Sequence, residues 1–260
     1  MAHDLTQDKT GKVLLKFTLP LFISVVFQQF YSIADSLIAG RFAGEDALAA
    51  VGASYPITNL FNAVAFGCNI GIGIVISQCF GARDYKKVKT AVSTALISGT
   101  VLGGILTALG VLFTPQLLRV VNTPQNIFDD SAAYLAIYTG GFVFLFIYNV
   151  ANGIFTSIGD SKTSLYFLIF SSVTNVILDY IAVRFLNMGV RGVAWATFIA
   201  QGVACILSAI TLIRHIKKLK TDGKGRFFRL ACLENLWLFP CPACCNRALF
   251  PWVMCLYSDL

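Results

Sequence analysis

Gln28-Gln-Phe-Tyr-Ser-Ile-Ala-Asp35-Ser-Leu-Ile-Ala-Gly-Arg41 is the stretch on which the reading of this chain turns. It closes a long apolar run, 13–40, and places an acid in its second half. An aspartate at the centre of a bilayer costs about 2.5 to 3.5 kcal/mol on insertion scales, so an acid inside such a run is a candidate functional group. Gln28, Ser32 and Asp35 stand at i, i+4 and i+7, which puts them on one face of a helix. The plainer reading is a capping aspartate near the membrane surface, since Gly40 and Arg41 follow closely.

The rest of the chain supports a membrane setting. Of 260 residues, 57% are hydrophobic and 13% charged, and the mean hydropathy is +0.73. A soluble domain carries roughly 25% charged residues. Here the charges are also clustered: 47–82, 90–118, 131–159 and 192–213 contain none. Each run is long enough to cross the roughly 30 Å hydrocarbon core as a helix. The expected fold is therefore an all-α polytopic membrane protein with six spans, near 13–39, 51–79, 91–113, 131–157, 164–183 and 192–213.

Loop charge orients these spans. With the N-terminus (1–12) in the cytoplasm, 15 Lys and Arg fall inside and four, Arg41, Arg119, Arg184 and Arg191, fall outside. The positive-inside rule favours that placement. The net charge of +7 is thus a topological signal rather than a mark of nucleic-acid binding. The first apolar run is too long for a signal-peptide core and lacks a small-residue cleavage site, so it reads as a retained helix.

Polar stripes mark the helix faces. Span two carries Tyr55, Thr58, Asn59, Asn62, Phe66 and Asn69 at spacings of three and four. These groups bond to neighbouring helices or line a watered cavity, because lipid offers them no partner. Span five repeats the pattern with Ser172, Asn175 and Asp179 at i, i+3 and i+7. Asp35 and Asp179 are the two acids that fall within spans. A carboxyl group held out of water is a candidate to exchange a proton near neutral pH. Pro20 is a potential kink in span one. Span three has no ionisable group and reads as a packing or lipid-facing helix.

Phe27 to Arg41, followed by Ala49-Ala-Val-Gly-Ala-Ser-Tyr-Pro56, resembles the first helices of multidrug and toxic compound extrusion (MATE) transporters. Residues 151–162, with their Gly-Asp-Ser-Lys turn, and Asn175-Val-Ile-Leu-Asp179 resemble that family's fourth and fifth helices. The resemblance covers about 10–222. It implies one six-helix lobe (13–213) of a twelve-helix fold, and export of cationic lipophilic compounds driven by H⁺ or Na⁺. It gives Asp35, Asp179, Asn175, Asn149 and Thr197 as the coupling-ion site. Gln28, Ser32, Tyr55, Asn59, Asn62, Tyr134 and Ser172 are the candidates to line the cavity. No catalytic residue, metal or cofactor beyond the coupling ion is expected.

The expected setting is the bacterial cytoplasmic membrane, with lipid and small cations as partners. A lipid-linked sugar flippase ranks lower, because no basic residue lies deep inside a span to meet a pyrophosphate, Lys16 standing at the cytoplasmic end of the first. An intramembrane aspartyl protease ranks lower still: Asp35 follows Ala34 and Asp179 follows Leu178, and neither is a Tyr-Asp or Gly-x-Gly-Asp motif. An inactive fragment is a further reading. After a basic linker (214–224), the tail 225–260 changes character and holds five of the eight cysteines and two of the three tryptophans. It departs from the family and reads as an out-of-frame or truncated end. A second lobe or self-association would then complete a transport path. Zinc at Cys241-Pro-Ala-Cys-Cys245 is disfavoured for want of a fourth ligand.

Overall fold

The computed structural model describes residues 10–218, and the expectations for the N-terminal nine residues and for the tail lie outside them. Within that range the chain is helical throughout: α1 (Thr10–Ile38), α2 (Glu45–Gly81), α3 (Tyr85–Leu112), α4 (Thr114–Val120), α5 (Phe128–Gly140), α6 (Phe142–Ser157), α7 (Ser161–Arg184) and α8 (Gly189–Lys218). A π-helical turn, Ala39–Ala43, extends α1. Five helices are long and apolar enough to span a membrane, and α5 with α6 make a sixth span bent by 46°. The fourth expected span is thus a broken one, and it starts earlier than the expected residue 131. Its apolar character continues through Gly140-Gly141, so hydropathy gives no sign of the break.

Short polar turns set the helix ends. Asp84 caps α3 by accepting the Lys87 N–H at 3.0 Å. Asp160 caps α7 by accepting the Thr163 N–H at 3.2 Å and its hydroxyl at 2.8 Å. Glu45 and Asp46 occupy the first turn of α2, where the helix dipole favours acids. Hydroxyls inside the spans bond back to their own helix: Thr94 to the Thr90 carbonyl at 2.9 Å, and Thr139 to that of Leu135 at 2.7 Å. Such bonds let a membrane helix carry Ser and Thr without an orphan donor. α1 runs through Pro20 without interruption.

The core forms around α6. Phe142, Phe146, Val150, Ile154 and Phe155 are fully buried there against α2, α3 and α8. α3 meets α6 through glycines: a Cβ at Gly103 would stand 3.2 Å from Phe146 Cβ, and one at Gly99 would stand 3.2 Å from Val150 Cγ2. Small residues allow this close approach where lipid supplies no hydrophobic drive. Val111 and Val101 of α3 are exposed, so the helix both packs and faces lipid. A second cluster joins the π turn to α2, α7 and α8 through Ile38, Ala39, Ala50, Val183 and Val193. α1 packs chiefly on α7, and α7 on α8. That order brings the two intramembrane acids together.

Candidate functional site

Asp35 on α1 and Asp179 on α7 are 144 positions apart in sequence, yet the packing of α1 on α7 brings the two acids within electrostatic range of each other. A carboxylate only accepts, so a direct hydrogen bond between the two acids forms only when one of them carries a proton. Asp179 is fully buried. One oxygen of each acid, Asp35 Oδ1 and Asp179 Oδ1, is buried with no hydrogen-bond partner. Buried polar atoms are rarely left in that state, and each such atom calls for a reason.

Asn175 sits one turn before Asp179 and links the pair to its surroundings. With its amide oxygen toward Thr197, it accepts from the Thr197 hydroxyl at 3.2 Å and the Thr197 N–H at 3.1 Å. Its nitrogen then donates to Asp179 Oδ2 at 2.9 Å and to the Tyr31 hydroxyl at 3.3 Å. Every hydrogen-bonding capacity of the amide that reaches these neighbours is used in that orientation. Tyr31, Tyr134 and Tyr138 surround the acids within electrostatic range.

A cavity of about 350 Å³ adjoins the cluster between α1, α2, α6, α7 and α8. Tyr31, Asn175 and Thr197 belong to both, whereas Asp35 and Asp179 do not line it. The lining is polar but bears no Lys, Arg, Asp or Glu. From α2 it takes Tyr55, Thr58, Asn59, Asn62 and Phe66, five of the six members of the stripe read in span two. The sixth, Asn69, stands instead against Gly153 of α6. Asn62 donates to the Tyr138 hydroxyl at 3.1 Å. Asn149 lines the cavity and donates to the Leu145 carbonyl at 2.9 Å. The Tyr148 hydroxyl, also in the lining, is buried without a partner.

Gln28, Tyr55, Asn59, Asn62 and Ser172 stand where a cavity lining was expected. Tyr134 does not. It is buried in the second core cluster, stacked on Tyr138 with ring centroids 6.1 Å apart, so its role is to hold Tyr138 rather than to face the cavity. Nothing is described of the Ser32 side chain. Tyr31, Tyr148 and Gln201 line the cavity and were not among the expected residues. Spacing would have found two of them: Tyr31 precedes Asp35 by four, and Gln201 follows Thr197 by four. Tyr148 leaves no such mark.

The fold is that of a multi-pass membrane protein in which two acids lie beside an uncharged polar cavity. The MatE family model matches residues 20–181, and the chain belongs to that family. It is 33% identical over 208 residues to a probable multidrug resistance protein, YoeA, of Bacillus subtilis, covering 78% of this chain and 44% of the relative. It is 30% identical over 214 residues to a second such protein of that organism, YpnP, covering 82% and 48%. Its fold is similar to that of a crystal structure of MATE in the straight conformation, with a TM-score of 0.80 at 25% identity over 94% of this chain and 54% of that one. The chain spans about half the length of the curated relatives it matches.

Proposed function

We propose that this chain is one lobe of an ion-coupled exporter of cationic lipophilic compounds, with Asp35 and Asp179 as the coupling-ion site. The observation that carries this reading is the proximity of two intramembrane acids, Asp179 fully buried and Asp35 half-buried, tied through Asn175 to a polar cavity. A proton on the pair keeps it compatible with the low dielectric. Its loss, or its replacement by Na⁺ on the two unpartnered oxygens, changes the charge at the α1–α7 contact and shifts how α1 seats on α7. Asn175 and Thr197 hold the pair in place, and Asn149 faces the cavity end of the same path. The uncharged lining suits a lipophilic cation that sheds its water, and it offers no basic group to a pyrophosphate. The cytoplasmic membrane of a bacterium, with the N-terminus inside, is the setting that the loop charges favour.

The test is transport by the full chain in sealed vesicles. A fluorescent lipophilic cation is loaded, and a pH gradient or a Na⁺ gradient is imposed in separate runs. Gradient-dependent release is expected under one of the two, and it is lost in Asp35→Asn and in Asp179→Asn. Release at equal rate in both variants, or none by the unaltered chain under either gradient, overturns the reading.

A further inference from the structure

A second concavity lies far from the acid pair in character. It is an apolar groove of about 510 Å³ between the π turn and the start of α2, lined by Ile33, Ser36, Leu37, Gly40, Arg41 and Leu48. Its walls are exposed: Ile33 and Leu37 are each 64% accessible, and Leu48 41%. The π turn shapes it. Such turns widen a helix locally and are frequent at functional sites. Phe42 pins this one to α7 by an edge-on contact with Tyr180, ring centroids 5.6 Å apart. Gly40 leaves the groove open on the other side, where a Cβ would come within 3.1 Å of Leu48 Cδ2.

Charge sits only at one end. Arg41 lines the groove at the end of the first span. Glu45 stands three residues before Leu48, hence on the same face of α2 as that groove residue. Both side chains are exposed, and among the described residues neither makes an ion pair. An exposed apolar channel along a span, with a cation in its wall and an anion one helical turn before Leu48 toward the same end, matches a molecule with an apolar chain and a dipolar head.

We propose that this groove seats one phospholipid with a zwitterionic primary-amine headgroup. Its acyl chain lies along Ile33, Leu37 and Leu48. Its phosphate meets Arg41, whose guanidinium suits a phosphate through parallel hydrogen bonds. Its ammonium meets Glu45. The lipid comes from the leaflet opposite the basic turn 81–89, because α2 crosses the membrane between the two. The site is independent of the transport reading, since none of its residues lines the polar cavity.

The test is native mass spectrometry of the full chain released from nanodiscs made of equal parts phosphatidylethanolamine, phosphatidylcholine and phosphatidylglycerol. One retained lipid per chain is expected, enriched in phosphatidylethanolamine. The choline headgroup cannot donate to Glu45, and the glycerol headgroup brings no cation. Arg41→Gln lowers retention of every phospholipid by roughly tenfold, and Arg41→Lys restores most of it. Glu45→Gln leaves phosphatidylglycerol bound and abolishes the preference for phosphatidylethanolamine. Both positions are exposed, and unchanged thermal midpoints of the variants report intact folds. Equal retention of the three lipids by the unaltered chain, or unchanged retention in Arg41→Gln, overturns the proposal. So does full displacement by soluble glycerophosphoethanolamine, which would mark a headgroup site with no part for the groove.

Discussion

At Gly153 the absence of a single carbon decides how two spans meet. A Cβ built there would fall inside the Asn69 side-chain amide, with Asn69 Cγ at 2.8 Å, and the Asn69 backbone carbonyl is also close at 3.3 Å. The amide end of a side chain can turn aside, but the Asn69 backbone carbonyl cannot, and α2 and α6 pack closely as helices of the buried core. Gly153→Ala therefore overpacks a fixed contact, and the expected loss is about 1 to 3 kcal/mol. A lowered thermal midpoint in detergent measures it. Asn69→Ala in the same chain removes the obstructing amide and restores most of the midpoint. A midpoint equally low in the double variant would show that the backbone, and not the amide, sets the limit. The sequence shows Asn69 as the last member of a polar stripe, and nothing in it says that this amide leaves the cavity for a glycine notch. The partner lies 84 positions further along the chain. The acid pair was half legible in the same sense. Two carboxyl groups in apolar runs are conspicuous by their cost, but their proximity depends on α1 lying against α7, and no local pattern encodes that.

Among the elements, the basic turn between α2 and α3 shows how a helix start depends on one ionised side chain. Asp84 accepts from the backbone N–H of Lys87 and also pairs with its ammonium at 3.0 Å. The hydrogen bond from the Lys87 backbone, then that ammonium, holds the carboxyl of Asp84 below its usual 3.8. The sign follows directly. A carboxyl whose acidity is increased by folding stabilises the helix start while it is ionised, above its unfolded value. That support is lost as pH falls through the lower folded value. Amide protection of residues 85–88, corrected for intrinsic exchange, should therefore decline as pH drops below 3.8 while the middle of α3 keeps its protection. Asp84→Asn keeps a capping oxygen without a charge, so its protection should be flat over that range. A parallel decline in the Asn variant would place the pH sensitivity elsewhere. This cap was readable as a polar turn between apolar runs. The break between α5 and α6 was not, because its cause is tertiary. Gly141 lies under the Phe198 ring, where a Cβ would come to 2.8 Å, and the Val143 N–H freed by the bend is taken up by the Thr107 hydroxyl at 3.0 Å. Glycine pairs are common enough in membrane helices to leave such a bend unannounced.

The whole molecule presents two kinds of surface to its membrane. Most spans show aliphatic side chains outward, such as Val101 at 59% exposure and Ile105 at 52%. The mouth of the polar cavity shows Gln28, Tyr55 and Asn59 instead, all exposed. Amide groups at membrane depth are tolerated where they line water or protein, not where they face hydrocarbon. The cavity is then expected to hold water, and the distinction is measurable with single cysteines in a background from which the eight native cysteines have been removed. A thiol reacts with a polar maleimide as a thiolate, which forms only in contact with water. Asn59→Cys should react, and Val101→Cys, turned to the acyl chains, should not. Lys86→Cys reports orientation in the same experiment. In intact cells it should resist an impermeant maleimide and react after permeabilisation, if the basic turn lies on the cytoplasmic side as the positive-inside rule favours. Equal reactivity at Asn59 and Val101 would mean that the polar face is sealed by lipid or by another chain. Reaction of Lys86→Cys in intact cells would reverse the topology, and with it the leaflet from which the proposed groove lipid is drawn.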